Sequence, residues 1–197
     1  MSAKQQRGEV TSDLLLDAAL RVFVASGEKG LTVNAVVQDS GVSLGSLYHH
    51  FGSFDGLIAT LGHRWLDRLL GELAEGLRDS ENAREGIAAA VRAYLTFVQE
   101  HRGPALLLHS PLADRKSMTR GTEFCDAQEA RVSEVSLWIR LRTDSGELAP
   151  LPPPLIESLV MGPVVAVARR WLSGIGDVDL DEAARLLPER IWRSVRA

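Results

Sequence analysis

Residues 32–54 read TVNAVVQDSGVSLGSLYHHFGSF, and this run decides how the chain folds. Thr32 can accept hydrogen bonds from the free N–H groups that open a helix, and Ser43 can do the same for a second one. Between them, Gly41 supplies the left-handed backbone that a tight turn between crossing helices requires. The spacing predicts helices over about 33–40 and about 44–50, held at their crossing by inward-facing Val36, Val42, Leu47 and Phe51. Asn34, Leu44, Gly45, Ser46, Tyr48, His49 and His50 are left pointing outward. A Tyr-His-His cluster facing water on a short helix has no structural purpose in a soluble monomer. In a helix-turn-helix (HTH) of this kind the second helix enters the major groove of DNA.

Working outward, Leu15, Ala19, Val22 and Phe23 recur at helical spacing and predict a helix over about 12–25, capped by Thr11 or Ser12 and ended by Gly27. On the other side a longer helix, 53–75, carries Leu57, Ile58, Leu61, Trp65, Leu69 and Leu73 on its inner side. Helices are expected over 83–100, briefly through Leu106 and Leu107, over 117–142, 155–173 and 180–195. The prolines of 150–154 read as a stiff surface loop, while Pro163 and Pro188 should bend the last two helices. The fold class is therefore all-α, with about nine helices. An N-terminal three-helix HTH domain, 8–55, precedes a C-terminal helical ligand-binding and dimerisation domain, 56–197, and helix 53–75 connects the two.

Composition sets further bounds. A 45% hydrophobic and 24% charged chain of 197 residues is that of an ordinary globular protein. No apolar run reaches the ~18 residues that a bilayer-spanning helix needs. The polar N-terminus lacks the apolar core of a secretory signal, so a cytoplasmic location and no membrane partner are expected. Cys125 stands alone, without a disulfide partner, and reads as a small buried side chain. Net charge is −4. Residues 1–63 hold Lys4, Arg7, Arg21 and Lys29 against Glu9, Asp13, Asp17, Glu28, Asp39 and Asp55, and no Lys or Arg lies between Gly30 and His63. Lys4 and Arg7 belong either to a disordered tail or to an arm along a DNA backbone. Phosphate neutralisation supplies much of a DNA binder's affinity. Here helix N-termini, hydroxyls, backbone N–H groups and a doubled subunit must supply it instead.

Residues 11 to about 60 resemble the N-terminal domain of the TetR family of bacterial transcriptional regulators. The resemblance rests on Gly41-Val42-Ser43, then Gly45-Ser46-Leu47-Tyr48-His49-His50-Phe51, Ser53 and Leu57, with Ala18-Ala19, Phe23, Gly27 and Thr32 spaced to fit. It implies a homodimeric, ligand-responsive DNA-binding regulator, more often a repressor, whose partners are a pseudo-palindromic double-stranded operator and a small-molecule effector. It also implies that Asn34, Leu44, Gly45, Ser46 and His49 face base edges, and that Thr32, Ser43, Tyr48 and His50 touch phosphates. The chain departs from the family pattern at Phe54, where a phosphate-holding Lys is usual, and at Val37, where Ala is usual.

Beyond the motif, Trp65, Tyr94, Phe97, Leu107, Phe124, Trp138 and Met161 are large side chains on helices that should surround a central space. His109 or Arg131 would serve there as polar anchor. An apolar or aromatic effector suits such walls. Leu155, Leu159, Gly162, Val167, Trp171, Ala183, Leu187 and Ile191 offer more apolar surface than one small core needs, and predict a two-fold four-helix dimer interface. No nucleophile–base pair, phosphate-cradling glycine loop or paired-carboxylate motif stands out, so no enzyme and no cofactor are expected. The histidines lack metal-ligand spacing, so no metal is expected either. The competing expectation is a dimeric ligand-binding or protein-interaction module that has lost DNA affinity, suggested by the cation-free motif and Phe54.

Overall fold

The structure, a computed structural model, describes residues 3–112 and 125–197, with side chains described for 8–112 and 134–197. Among these residues there are nine helices and no strand, apart from one isolated bridge between Leu148 and Arg196. The helices are α1 Ala3–Gly30, α2 Val33–Ser40, α3 Leu44–Phe51, α4 Phe54–Arg78 and α5 Ala83–Glu100. They continue with α6 Arg102–Leu108, α7 Cys125–Asp144, α8 Pro153–Leu172 and α9 Leu180–Val195. The all-α architecture is as expected. No helix among the described residues is long and apolar enough to cross a membrane.

Two compact units make up the chain. The first holds the residues up to Leu66 together with 103–112, and the second holds Asp67–Arg102 with 125–197. The division therefore falls inside α4 rather than at 55/56. The reason is burial: Leu57, Ile58 and Leu61 of α4 and Leu107 of α6 enter the same core as Leu15, Ala19 and Phe23 of α1, Val36 of α2 and Leu47 of α3.

Helix α1 starts earlier than its apolar stripe, but its helical path breaks at Gly27, where φ is 66° and ψ is −169°. That is the stop expected from the sequence. The start of α8 at Pro153 corrects the expected loop through Pro154. A proline's missing N–H costs nothing in a helix's first turn, where that group has no partner anyway. Both α8 and α9 continue through their internal prolines, Pro163 and Pro188, without division into shorter pieces.

In the second unit, α5 buries Ile87, Val91, Leu95 and Val98, while α8 buries Ile156, Val160, Val164 and Ala168. Leu180, Ile191 and Val195 of α9 complete the core. Asn82 caps α5 by accepting from Glu85 N–H at 2.9 Å, and Asp179 caps α9 by accepting from Glu182 N–H at 2.8 Å.

A carboxylate ties the turn after α7 to the start of α5. Glu147 Oε2 accepts from the backbone N–H of Ala83 at 2.6 Å, and Oε1 accepts from Arg142 Nη1 at 2.8 Å and Ser145 Oγ at 3.2 Å. Arg142 also donates to the carbonyl of Ser80 at 3.1 Å. The Ala83 N–H first, then Arg142 and Ser145, hold the Glu147 carboxyl below its ordinary range against a partial desolvation cost. A lowered carboxyl pKa stabilises the fold above the unfolded carboxylate's pKa, and this contribution disappears as pH falls through the folded value. Glu147→Ala should cost about 2 kcal/mol at neutral pH, the scale of charged hydrogen bonds. The gap from the parent in urea unfolding should shrink as the solution is acidified into the carboxylate range.

Candidate nucleic-acid interface and apolar cavity

The HTH is built by caps at both of its entries. Thr32 Oγ1 accepts from Ala35 N–H at 3.3 Å and starts α2, whose last turn is closed by Gly41 N–H donating to Val37 C=O at 3.1 Å. Gly41 has φ 66° and ψ 9°, the left-handed conformation anticipated for the turn. Ser43 Oγ then accepts from Ser46 N–H at 3.1 Å and starts α3. Val36 and Leu47 are fully buried, with Val42 and Phe51 packed against the same core.

The opposite face of this pair lies in water. Thr32, Asn34, Ser43, Gly45, His49 and His50 are exposed, as are Leu44 at 44% and Tyr48 at 45%, while Ser46 is half-buried. Large apolar and aromatic side chains left this open on a two-turn helix are not serving their own chain. The His49 and His50 rings sit edge to face, 5.4 Å apart. At Gly45 an added Cβ would meet nothing closer than Ser43 Oγ at 3.9 Å. Gly45 also has no positive φ. Glycine costs up to roughly 1 kcal/mol relative to Ala in a helix, less in a first turn such as that of Gly45, and nothing among the described residues requires it here.

Two arginines of this unit pair with its own carboxylates. Arg21 on α1 pairs with Asp39 on α2 at 2.7 Å, and Arg64 reaches Asp13 at 3.3 Å and Asp17 at 3.6 Å. Lys4 and Arg7 lie outside the described side chains. Phe54 and Val37, the two departures from the family pattern, are partly buried against the HTH core.

The second unit holds a partly open apolar cavity of about 80 Å³. Helix α4 contributes Leu70, Leu73 and Leu77, and α5 contributes Ile87 and Ala90. Val135, Trp138 and Ile139 come from α7, and Ile156, Val160 and Met161 from α8, with Leu148 between those helices. Glu157, exposed, is the one charged residue among them.

Of the residues expected around an effector, Trp138 and Met161 line this cavity. The others lie elsewhere or outside the described part. Tyr94 and Phe97 are buried in the same unit but not on the cavity wall, and Phe97 packs edge-on to His101 at 5.1 Å. Burial pushes the Tyr94 hydroxyl up to about 12, partly opposed by Arg169, so it stays protonated at neutral pH. Trp65 and Leu107 pack in the core of the first unit, which also contains His109, and these corrections follow from the division inside α4. Phe124 and the side chain of Arg131 lie outside the described residues. The aliphatic wall was missed because helical spacing marks an inner face without telling a filled core from a hollow one.

Among the residues expected at a dimer interface, Leu155 is 46% exposed and Gly162 is exposed, while Leu159, Val167, Trp171, Ala183 and Leu187 are half-buried. Ile191 is 3% exposed, which removes it from that set, because it fills the unit's own core and offers no surface to another chain. Leu186, 54% exposed on α9, was not anticipated.

Residues 15–61 match the model of the bacterial regulatory proteins, tetR family. The chain is 32% identical over 182 residues to the HTH-type transcriptional repressor KstR2 of Rhodococcus jostii (strain RHA1), a match covering 92% of this chain and 76% of that protein. It is 27% identical over 179 residues to the HTH-type transcriptional activator FasR of Mycolicibacterium smegmatis, across 90% of this chain and 80% of FasR. Its fold matches the transcriptional regulator FadR from Bacillus subtilis, solved in complex with stearoyl-CoA, with a TM-score of 0.74 at 16% identity over 90% of this chain and 96% of that one. The chain belongs to the TetR family of HTH transcriptional regulators.

Ser43 tests the local construction. Ser43→Ala removes the cap of α3 and should lower stability by about 1 kcal/mol in thermal or urea unfolding. Gly45→Ala should raise stability by up to about 1 kcal/mol. The opposite signs would be read from the same assay on the same helix.

Proposed function

We propose that the chain is a homodimeric, ligand-responsive repressor, released from a pseudo-palindromic operator when a small apolar or aromatic effector occupies the second unit. The observation that carries DNA reading is the exposed face of α3, where Leu44, Tyr48 and His49 stand in water around a glycine that none of the described residues requires. Leu44 is suited to a thymine methyl, and Gly45 lets the groove floor come close to the helix backbone. Thr32, Ser43, Tyr48 and His50 then hold phosphates, and Asn34, Ser46 and His49 reach base edges. Half-sites lie about one helical turn, or a small multiple of it, apart.

Two-fold pairing is supported by the apolar side chains that α8 and α9 leave open, Leu155 and Leu186 above all. The repressor sign is supported by KstR2, named a repressor. An apolar effector is supported by the aliphatic lining of the cavity, and by FadR having been solved with stearoyl-CoA. The cavity is small beside ordinary ligand clefts of roughly 300–1,000 Å³. An effector must therefore push its walls apart. Leu70, Leu73 and Leu77 belong to the same helix as Leu57 and Leu61 of the HTH core, which gives such a displacement a route to the reading face.

One observation favours a second reading, a dimeric module without DNA affinity: Arg21 and Arg64 are both committed to carboxylates. Gel-shift titration with the chain's own upstream DNA separates the two. Sequence-selective binding is expected without effector, with a shallow dependence on salt, and its absence even at low salt would establish the second reading. Phe54→Lys should steepen the salt slope by about one per subunit. Gly45→Ala should weaken operator binding roughly tenfold or more, the scale of one good base contact at about 1–3 kcal/mol.

A further inference from the structure

Trp138 sits on the wall of the apolar cavity with its indole N–H buried and, among the described residues, without a hydrogen-bond acceptor. Such a group is uncommon in a folded protein and calls for an explanation. A phenylalanine would fill most of the same space without stranding a donor. The other described walls are Leu, Ile, Val, Ala and Met, whose side chains offer no strong acceptor, and the carboxylate of Glu157 stands exposed at the edge.

The indole is held where it is by two independent features. On α5, a Cβ added to Gly86 would lie 2.2 Å from Cζ2 and 2.9 Å from Cη2 of the Trp138 ring. The helix thus carries its least favourable residue short of proline so that the ring can lie against it. On the same ring, the Arg142 guanidinium carbon stands 5.7 Å from the centroid, and Arg142 is itself fixed by Glu147 and the Ser80 carbonyl. An unanswered donor, out of reach of water in this structure, has been given a fixed position on a residue of the cavity wall, and it comes into reach of an effector as the walls part.

We infer that Trp138 Nε1–H is the polar anchor of the effector, and that the effector is a neutral, largely apolar molecule presenting a single acceptor oxygen, such as a ketone or ester carbonyl. This rests on reading the cavity as the effector site. The exposed Glu157 disfavours an anionic group at the rim, and the aliphatic walls disfavour any second polar group.

Cyclopentanone and methylenecyclopentane, alike in shape but differing in an oxygen for a methylene, test the inference with the full chain, uniformly labelled with ¹⁵N and ¹³C. The ketone should move the Trp138 indole N–H resonance downfield, identified by its loss in Trp138→Phe, and should bind roughly tenfold tighter than the alkene. In Trp138→Phe both probes should bind alike, and Gly86→Ala, by displacing the ring, should also erase the preference. Equal affinity of the parent for the two probes, with the indole resonance indifferent to the oxygen, would overturn the anchor and leave the effector site in place. If neither probe moves the methyl resonances of Leu73, Ile87 or Ile156, the cavity is no effector site and both readings fall.

Discussion

Isolated helices shorter than about 12–15 residues are marginal in water, and the HTH is made of two with eight residues each. Neither α2 nor α3 can stand unless the rest of its unit holds it. Val36 and Leu47, both fully buried, provide that hold. Burying such a side chain is worth about 1.5–3 kcal/mol, and each Ser or Thr cap adds about 1 kcal/mol. Because so few inward residues and two caps do this work, the remaining outward side chains are spared it. Leu44, Tyr48 and His49 can be chosen for what they meet outside the chain, and the helix they stand on still holds its angle.

The same locality explains what could be read from the sequence. The bounds of α2, α3, α5 and α9 follow from caps a few residues away: Thr32 and Gly41, Ser43, Asn82, and Asp179. The break at Gly27 follows from a single positive φ. What depends on distant partners was harder to see. The return of Leu107 to the HTH core, and with it the division inside α4, is a tertiary fact without a local mark. The early turns of α1 are polar and show no stripe, and Pro153 reads as a loop until its first-turn position is known. The cavity was legible only at Trp138 and Met161. Seeking large aromatic side chains led to Tyr94 and Phe97, which fill space, whereas Leu70, Leu73 and Leu77 border it.

Electrostatics narrow how such a face can hold DNA. With Arg21 and Arg64 paired, hydroxyls and helix N–H groups carry a larger share of the contacts. The two serines at the start of α3 are already engaged with one another, their Oγ atoms 2.9 Å apart. Each hydroxyl has one hydrogen, and one of the pair donates to the other. A single O–H therefore remains for the duplex, and the Ser43 oxygen keeps its cap on Ser46 N–H. Reading a base through Ser46 and keeping α3 capped are consequently coupled demands on one small hydroxyl pair.

Helical glycines bear on both sites, and what a Cβ would meet separates their causes. Gly86 is answered within the chain, since Trp138 occupies the space. Gly162 is open, but it precedes Pro163, whose ring crowds a preceding residue's Cβ in helical backbone, so a local cause suffices. Gly62 is open as well, and nothing in the structure explains it. Gly45 is open, has no following proline, and stands between exposed Leu44 and half-buried Ser46 on the side of α3 that the core does not use. A helix of two turns has little stability to spare for a residue that weakens it. The clearance above Gly45 therefore fits an approach by a surface from outside the chain, in the place where Tyr48 and His49 also wait for a partner.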